Sequence, residues 1–308
     1  MDRPWDCIVI GGGAAGLSAA LVLGRARRRT LVVDDGRQSN LAAHGIGGLL
    51  GHDGRPPAEL YAAARAELAG YPSVELVTGT VVSAERAEDG FLVAVAGGGR
   101  HAARRLLLAT GMDYRAADVP GVAERWGRSV FHCPFCHGWE VRDRPLGVLD
   151  RGADAVHRAL LLRAWSDDVT VLTDGPPELD EDAIAQLAAA GVAVDERRVE
   201  ALRGPGSELT DVVFTDGSAR SLGGLLVPVV LHQRSPLAAR LGATIAPPGM
   251  LAADAVDVDA WLQTPVPGVA AAGDVTGTMP SVANAIAAGS NAAAAIVRSL
   301  VVEPPPAE

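Results

Sequence analysis

Cys7-Ile8-Val9-Ile10-Gly11-Gly12-Gly13-Ala14-Ala15-Gly16-Leu17-Ser18-Ala19-Ala20-Leu21-Val22-Leu23 decides the fold. A short apolar run ending in glycines reads as a buried parallel strand. Gly11 to Gly16 fits G-x-G-x-x-G, and an Ala/Leu-rich helix follows. Gly11 permits a tight turn, Gly13 lets backbone approach a pyrophosphate, and Gly16 lets helix and strand pack closely. The helix start then offers free N–H groups and its positive dipole end to that pyrophosphate. Thr30-Leu31-Val32-Val33-Asp34 reads as the next strand. Its terminal acid stands at the spacing from which a carboxylate can take ribose hydroxyls. A Gly-rich turn alone is a weak signal, and this context strengthens it.

Working outward, Asp35 to Pro57 is rich in Gly, His and Pro and predicts a long functional loop. Glu59 to Ala69 predicts a helix, Val74 to Val82 and Phe91 to Val95 predict strands, and Arg105 to Gly111 predicts a buried strand meeting a Gly turn. A second strand–helix–strand unit begins at Leu146-Gly147-Val148-Leu149, continues through Ala153 to Trp165, and reaches Val169 to Leu172. Val212 to Thr215 and Leu225 to Leu231 close it, and the chain returns through Val269 to Asp274 to a final Ala-rich helix, Ser281 to Leu300. The tail Glu303-Pro304-Pro305-Pro306 is expected to fray. The fold class is therefore α/β: two Rossmann-like, three-layer ββα nucleotide-binding domains, the second inserted into the first. The joints fall near 113–117 and 238–244. That assigns 1–114 plus 241–308 to one domain and 115–240 to the other.

The 308 residues suit two domains, and 48% hydrophobic with 21% charged residues is a globular composition. Every basic residue is Arg, and the net charge of −10 argues against a nucleic-acid partner. Cys7 to Leu23 is apolar, but its glycine spacing and the acids before it oppose a signal or membrane reading. The expectation is a cytoplasmic protein without a membrane partner.

Three cysteines are too few for a disulfide-stapled secreted domain. Cys7, alone before the glycines, reads as a small buried hydrophobe. Cys133-Pro134-Phe135-Cys136-His137 is the chemical centre of the sequence. C-x-x-C spacing permits a short-loop disulfide, and a helix start lowers a cysteine pKa by stabilising its thiolate. One sulfur can exchange with a thiol substrate while the other faces an electron carrier. His137 titrates near neutrality and suits proton transfer from an incoming thiol, with His132 a second candidate. C-x-x-C-H is also a haem-attachment motif, but export and a haem pocket are not signalled. Zinc would need two further ligands, and neither a second C-x-x-C nor an H-x-x-x-H is present, so no metal is expected.

On Gly11 to Gly16, Ala109-Thr110-Gly111, the central C-x-x-C and Pro267 to Asp274, in that order, the chain resembles low-molecular-weight thioredoxin reductases. These belong to the class II pyridine nucleotide-disulfide oxidoreductases. The resemblance covers nearly the whole chain and implies FAD in the discontinuous domain and a homodimer. It implies flavin contacts at Gly11, Gly13, Ala14, Ala15, Gly16, Asp34, Val81, Ala109, Thr110, Gly111, Gly273, Asp274, Ser281 and Val282. By family position, Gln38, Asn40 and His44 lie in a loop running near the flavin, and Cys136 is the sulfur on the flavin side.

Two departures bear on activity. Where such reductases carry a second G-x-G-x-x-A for NADPH, this chain reads Asp150-Arg151-Gly152-Ala153-Asp154-Ala155. A carboxylate in the first glycine's place repels a pyrophosphate by roughly 1 kcal/mol or more. Thr173 to Pro177, where a basic cluster would hold a 2′-phosphate, has no Arg and contains Asp174. His137, where reductases have Asp, is similar to the FAD-dependent dithiol oxidases of gliotoxin- and holomycin-type natural products. Those enzymes close disulfides in small dithiols and pass the electrons to O2. The expectation is such an oxidase, acting through Cys133, Cys136 and His137 and releasing H2O2. The alternatives are an NAD(P)H-dependent disulfide reductase and a non-catalytic flavoprotein redox sensor. Phe135 and Trp139 could line a substrate cleft or belong to the core.

Overall fold

The computed structural model describes residues 3–302, so the expected frayed tail lies outside the described residues. The chain divides into two compact units. One holds the stretch up to Leu41, Pro57–Tyr114 and everything from Val230; the other holds Ala42–Pro56 and Arg115–Val229.

In the first unit Trp5–Ile10 pairs in parallel with Thr30–Asp34 on one side and Gly99–Leu108 on the other. Val74–Thr78 extends the sheet beyond Thr30–Asp34, and Val269–Ala271 pairs in parallel with Gly99–Leu108. These strands are runs of Val, Ile, Leu and Ala because both sheet faces are covered. Gly99–Leu108 also pairs antiparallel with Gly90–Val95, which pairs with Val81–Ala87. The stretch expected as one strand, Val74 to Val82, is therefore two. Gly79 and Thr80 separate a parallel strand from an antiparallel one, and periodicity cannot see which neighbour each half pairs with. Cys7, Val9, Leu17, Leu23, Val32, Leu107 and Ile296 share the core, where Cys7 is fully buried.

Two helices close this core, Ala14–Arg25 and Val282–Val302. The second has 21 residues and is apolar enough, by length and composition, to cross a bilayer. Here Ala285, Gly289, Ala292, Ala293, Ile296 and Leu300 are buried, most of them in the core beside the first helix.

In the second unit five parallel strands run in the order Ala193–Asp195, Val169–Leu172, Leu146–Leu149, Gly224–Leu226, Val130–Phe131. A three-stranded antiparallel sheet, Val199–Arg203, Asp211–Phe214 and Ala219–Ser221, accompanies it. The expected strand Leu225 to Leu231 stops at Leu226, and Pro228, which has no N–H to donate, follows. Val230–Gln233 belongs to the first unit, so the return joint falls at 229/230 and not at 240/241. Residues 42–56 also group with the second unit, which sequence order does not reveal.

Candidate functional site

The glycine loop leaves the carboxyl end of Trp5–Ile10, where open α/β sheets place their ligands. Each glycine there meets a different constraint. Gly11 has φ +108°, and a Cβ on it would lie 2.2 Å from the Ala109 carbonyl oxygen. A Cβ on Gly16 would lie 1.9 Å from the Gly11 carbonyl oxygen. Gly13 faces open space, its nearest would-be neighbour being Gln38 Cγ at 3.7 Å. Gly13 is also the N-cap of Ala14–Arg25 and has no side-chain cap. The first intrahelical bond runs from Leu17 N–H to Gly13, which leaves the N–H groups of Ala14, Ala15 and Gly16 without helical partners. A half-buried glycine at an uncapped helix start fits a pyrophosphate.

Asp34 is held in place by protein donors. Its carboxylate accepts from Gly12 N–H at 3.0 Å, Gly36 N–H at 3.2 Å, the Gln38 amide at 3.1 Å and Arg65 at 2.6 Å. A carboxylate offers about four acceptor positions, and protein donors engage them. Asp34 thus fastens the glycine loop to the loop after its own strand. Arg65, on the helix Pro57–Leu68, is the partner that sequence spacing could not supply.

The other expected flavin contacts fall in two places. Ala109 is buried and its N–H bonds the Ile10 carbonyl; Gly111 has φ +65°. Gly273, at φ +83° and ψ −157°, turns the chain into Asp274. A Cβ on Gly273 would lie 2.9 Å from that of Ala15, so the loop around Asp274 packs on the phosphate helix. Asp274 accepts a 2.8 Å bond from the Tyr114 hydroxyl, and burial pushes its carboxyl above the usual range. Asn40 accepts from Tyr61 at 2.9 Å. Ser281 Oγ caps the last helix through Asn284 N–H, and Val282 is that helix's first residue. Val81 is buried at the start of its strand. His44 lies apart from these, in the 42–56 segment of the second unit.

In that second unit the edge strand Val130–Phe131 runs directly into the redox helix Pro134–His137. Cys133 is the N-cap and Pro134 the first helical residue, a position where a missing N–H costs nothing. The sulfurs of Cys133 and Cys136 stand 2.7 Å apart. The Cys136 thiol donates to Cys133, and the N–H groups of Cys136 and Phe135 add to this, bringing Cys133 down to about 7 despite its burial. The same bond, with burial and the nearby Glu140 charge, raises Cys136. In the reduced pair Cys133 is the thiolate and Cys136 keeps the proton.

Two histidines flank the pair. His132 stacks on Trp126, and burial followed by the neighbouring His137 lowers it to about 4. His137 stacks on Phe131 with ring centroids 5.7 Å apart. Its ring nitrogens are buried and have no hydrogen-bond partner among the described residues. Burial lowers its pKa, while Glu140 and the Gly127 and Cys133 carbonyls oppose that shift. Gly47 of the 42–56 segment lies against the redox helix, where a Cβ would stand 2.6 Å from the Cys136 carbonyl oxygen. Phe135 and Trp139 are surface residues, 69% and 65% exposed, not core. Phe135 meets Trp165 edge-on, and Arg142 covers Trp139 at 3.8 Å. Among the described residues no group of three or more His, Cys, Asp or Glu is placed to hold a metal ion.

The second nucleotide loop is occupied by its own side chains. Asp150 accepts from Gly152 N–H at 3.2 Å and is ion-paired with Arg158, which also reaches Asp154. At Thr173 to Pro177 the sequence expectation needs correction. No Arg lies in the stretch, but Arg151 and Arg198 reach Gly175 from elsewhere, within 4 Å of its would-be Cβ. Arg151 is tied to the carbonyl and carboxylate of Asp174. The basic groups come from two other loops, one before the helix Asp154–Leu162 and one after the strand Ala193–Asp195, which a local motif comparison does not see.

Residues 5–289 match the family model described as pyridine nucleotide-disulphide oxidoreductase. Thioredoxin reductase tcpT of Claviceps purpurea is 33% identical over 294 residues, covering 92% of this chain and 90% of that protein. Among solved structures, HlmI is 39% identical with a TM-score of 0.91, covering 98% of this chain and 94% of the other. An oxidoreductase from Agrobacterium tumefaciens is also 39% identical with a TM-score of 0.91, covering 98% and 100%. The chain belongs to the pyridine nucleotide-disulphide oxidoreductase family, with FAD as its cofactor.

Proposed function

We propose that this protein is a dithiol oxidase that closes a disulfide in a small-molecule dithiol and delivers the electrons to O2. The observation that carries this direction is Asp150. Its carboxylate, held by Gly152 and Arg158, stands where a reductase would admit the pyrophosphate of NADPH. The C-x-x-C-H-G stretch from Cys133 to Gly138, which resembles that of the small-dithiol oxidases, supports a small dithiol as substrate.

The residues proposed to hold FAD are Gly11, Gly13 and the helix start Ala14 to Gly16, with Ala109 to Gly111, Gly273 and Asp274. Gln38, Asn40, Val81, Ser281 and Val282 complete the contacts. Asp34 acts by fixing the loop through Gly12 and Arg65. What FAD supplies when bound is a two-electron acceptor that O2 can discharge to H2O2.

The protein's own part is sulfur exchange. A substrate thiol loses its proton to His137, and the thiolate attacks Cys133 Sγ. A substrate–Cys133 bond forms, the Cys133–Cys136 bond breaks, and Cys136 takes up a proton. The second substrate thiolate attacks the substrate sulfur of the mixed disulfide and frees Cys133 as thiolate. The substrate has then lost two electrons and two protons. The pair has gained both electrons and one proton, and the other proton leaves. Low basicity at Cys133 makes it a good leaving group in the second exchange. The reading includes a homodimer in the cytoplasm.

The test is anaerobic mixing with dithiothreitol, NADPH or NADH, followed by admission of O2. Bleaching by dithiothreitol alone and H2O2 release on aeration are the expected results. Rapid bleaching by NADPH would establish the reductase instead. Arg151 and Arg198 near Gly175 are the observation that favours that second reading. Turnover of every dithiol tested surviving Cys133→Ser would show that the pair is not catalytic.

A further inference from the structure

The redox helix borders a cavity of about 140 Å³ whose lining lies wholly in the second unit. Cys136, His137 and Glu140 line one side, and His44 of the 42–56 segment lies among the others. Small-molecule sites run from roughly 300 Å³ upward, so this volume is too small for the dithiol itself. His44, Arg128, Ser129, His137, Glu140 and Ser207 bring polar groups to its lining, and it has room for several waters.

Sulfur exchange requires such a space. Each substrate oxidation releases two protons, and Cys136, with its raised pKa, keeps one. The other must travel from His137, whose ring nitrogens are buried and unpartnered among the described residues. Glu140 sits one turn along, with its N–H on the His137 carbonyl at 3.2 Å, and its side chain is exposed. Glu140 and His137 line the same cavity, and Glu140 is the one that reaches solvent.

We propose that Glu140 is the proton exit of the redox centre, passing the proton that His137 takes from a substrate thiol through this cavity to solvent. The other charged groups facing the cavity are placed less well. Arg128 is engaged by the Ala42 carbonyl and Ser207 Oγ. Arg144 and His44 lie at its exposed margin, and Glu208 comes from the turn between two strands of the antiparallel sheet. Glu140 is the carboxylate whose charge acts on both His137 and Cys136. Its role is to position and move a proton, not to touch sulfur.

The proposal rests on the dithiol reading for the source of the proton, so the test uses a half-reaction common to any disulfide oxidoreductase of this type. Holoprotein is mixed anaerobically with dithiothreitol, and reduction is followed across pH in wild type, Glu140→Gln, Glu140→Asp and Glu208→Gln. Glu140→Gln is expected to slow reduction about tenfold or more, and added acetate to restore the rate in proportion to its concentration. The ascending limb of the pH profile moves to lower pH, because His137 loses the charge that raised it. Glu140→Asp keeps most of the rate, and Glu208→Gln matches wild type. A Glu140→Gln protein that reduces at the wild-type rate, or whose loss acetate does not relieve, would overturn the proposal. Oxygen uptake by wild type reads the oxidase assignment separately. Reduction without O2 uptake ends that assignment and leaves the Glu140 comparison intact.

Discussion

Gly289 of the last helix sits against Ala15 of the phosphate helix so closely that a Cβ on it would lie 2.0 Å from the Ala15 carbonyl oxygen. The two helices meet backbone to backbone, and the Ala15 at this contact is also pressed by Gly273. Helix packing and cofactor cradle are thus one construction. Gly289→Ala is expected to cost about 3 kcal/mol through overpacking against backbone, which cannot swing aside. Thermal unfolding of the variant measures this, and the same protein should release flavin more readily.

Asp34 links four donors, and its ion pair with Arg65 is largely removed from solvent on the Asp34 side. Asp34→Asn keeps the shape but removes the charge, leaving Arg65 partly buried without its partner. A loss of about 3 kcal/mol follows from breaking such a pair. The glycine loop loosens with it, so FAD dissociation should accelerate, read as the rise of free-flavin fluorescence on dilution. Wild-type flavin retention in Asp34→Asn would show that the loop holds its shape without this carboxylate.

Cys133 titrates at about 7 chiefly because Cys136 donates a hydrogen bond to it. Iodoacetamide labelling of Cys133 in the reduced protein should therefore rise through pH 7. In Cys136→Ala the donor is gone, and the inflection moves up toward the ordinary thiol value of 9.0. An unmoved inflection would place the stabilisation in the backbone N–H groups instead.

His132 is held neutral by burial, with a folded pKa of about 4 against 6.5 when free. Between those values the unfolded chain binds the proton and the folded chain does not. Stability therefore increases with pH across this window, is fully present above about 6.5, and is lost as pH falls toward 4. Urea midpoints measured from pH 7 to pH 4 should fall, and His132→Phe should flatten that dependence. His137, lowered in the same direction, contributes the same sign.

The sequence alone determined the two nucleotide-type units, the glycine fingerprint, and the redox pair with its adjoining histidine. Each is written in local order: a strand's apolar run, a fixed glycine spacing, two cysteines one helical turn apart. Tertiary structure decided the partners. Arg65 reaches Asp34 across 31 residues and Tyr114 reaches Asp274 across 160. Arg151 and Arg198 gather at Gly175 from separate elements, and residues 42–56 leave their sequence neighbours to pack by the redox helix. Burial, which sets the proton positions at His132, His137 and the cysteine pair, is likewise a property of the assembled core. Local spacing fixes what a backbone can do, whereas charge pairing and desolvation depend on side chains brought together only by folding.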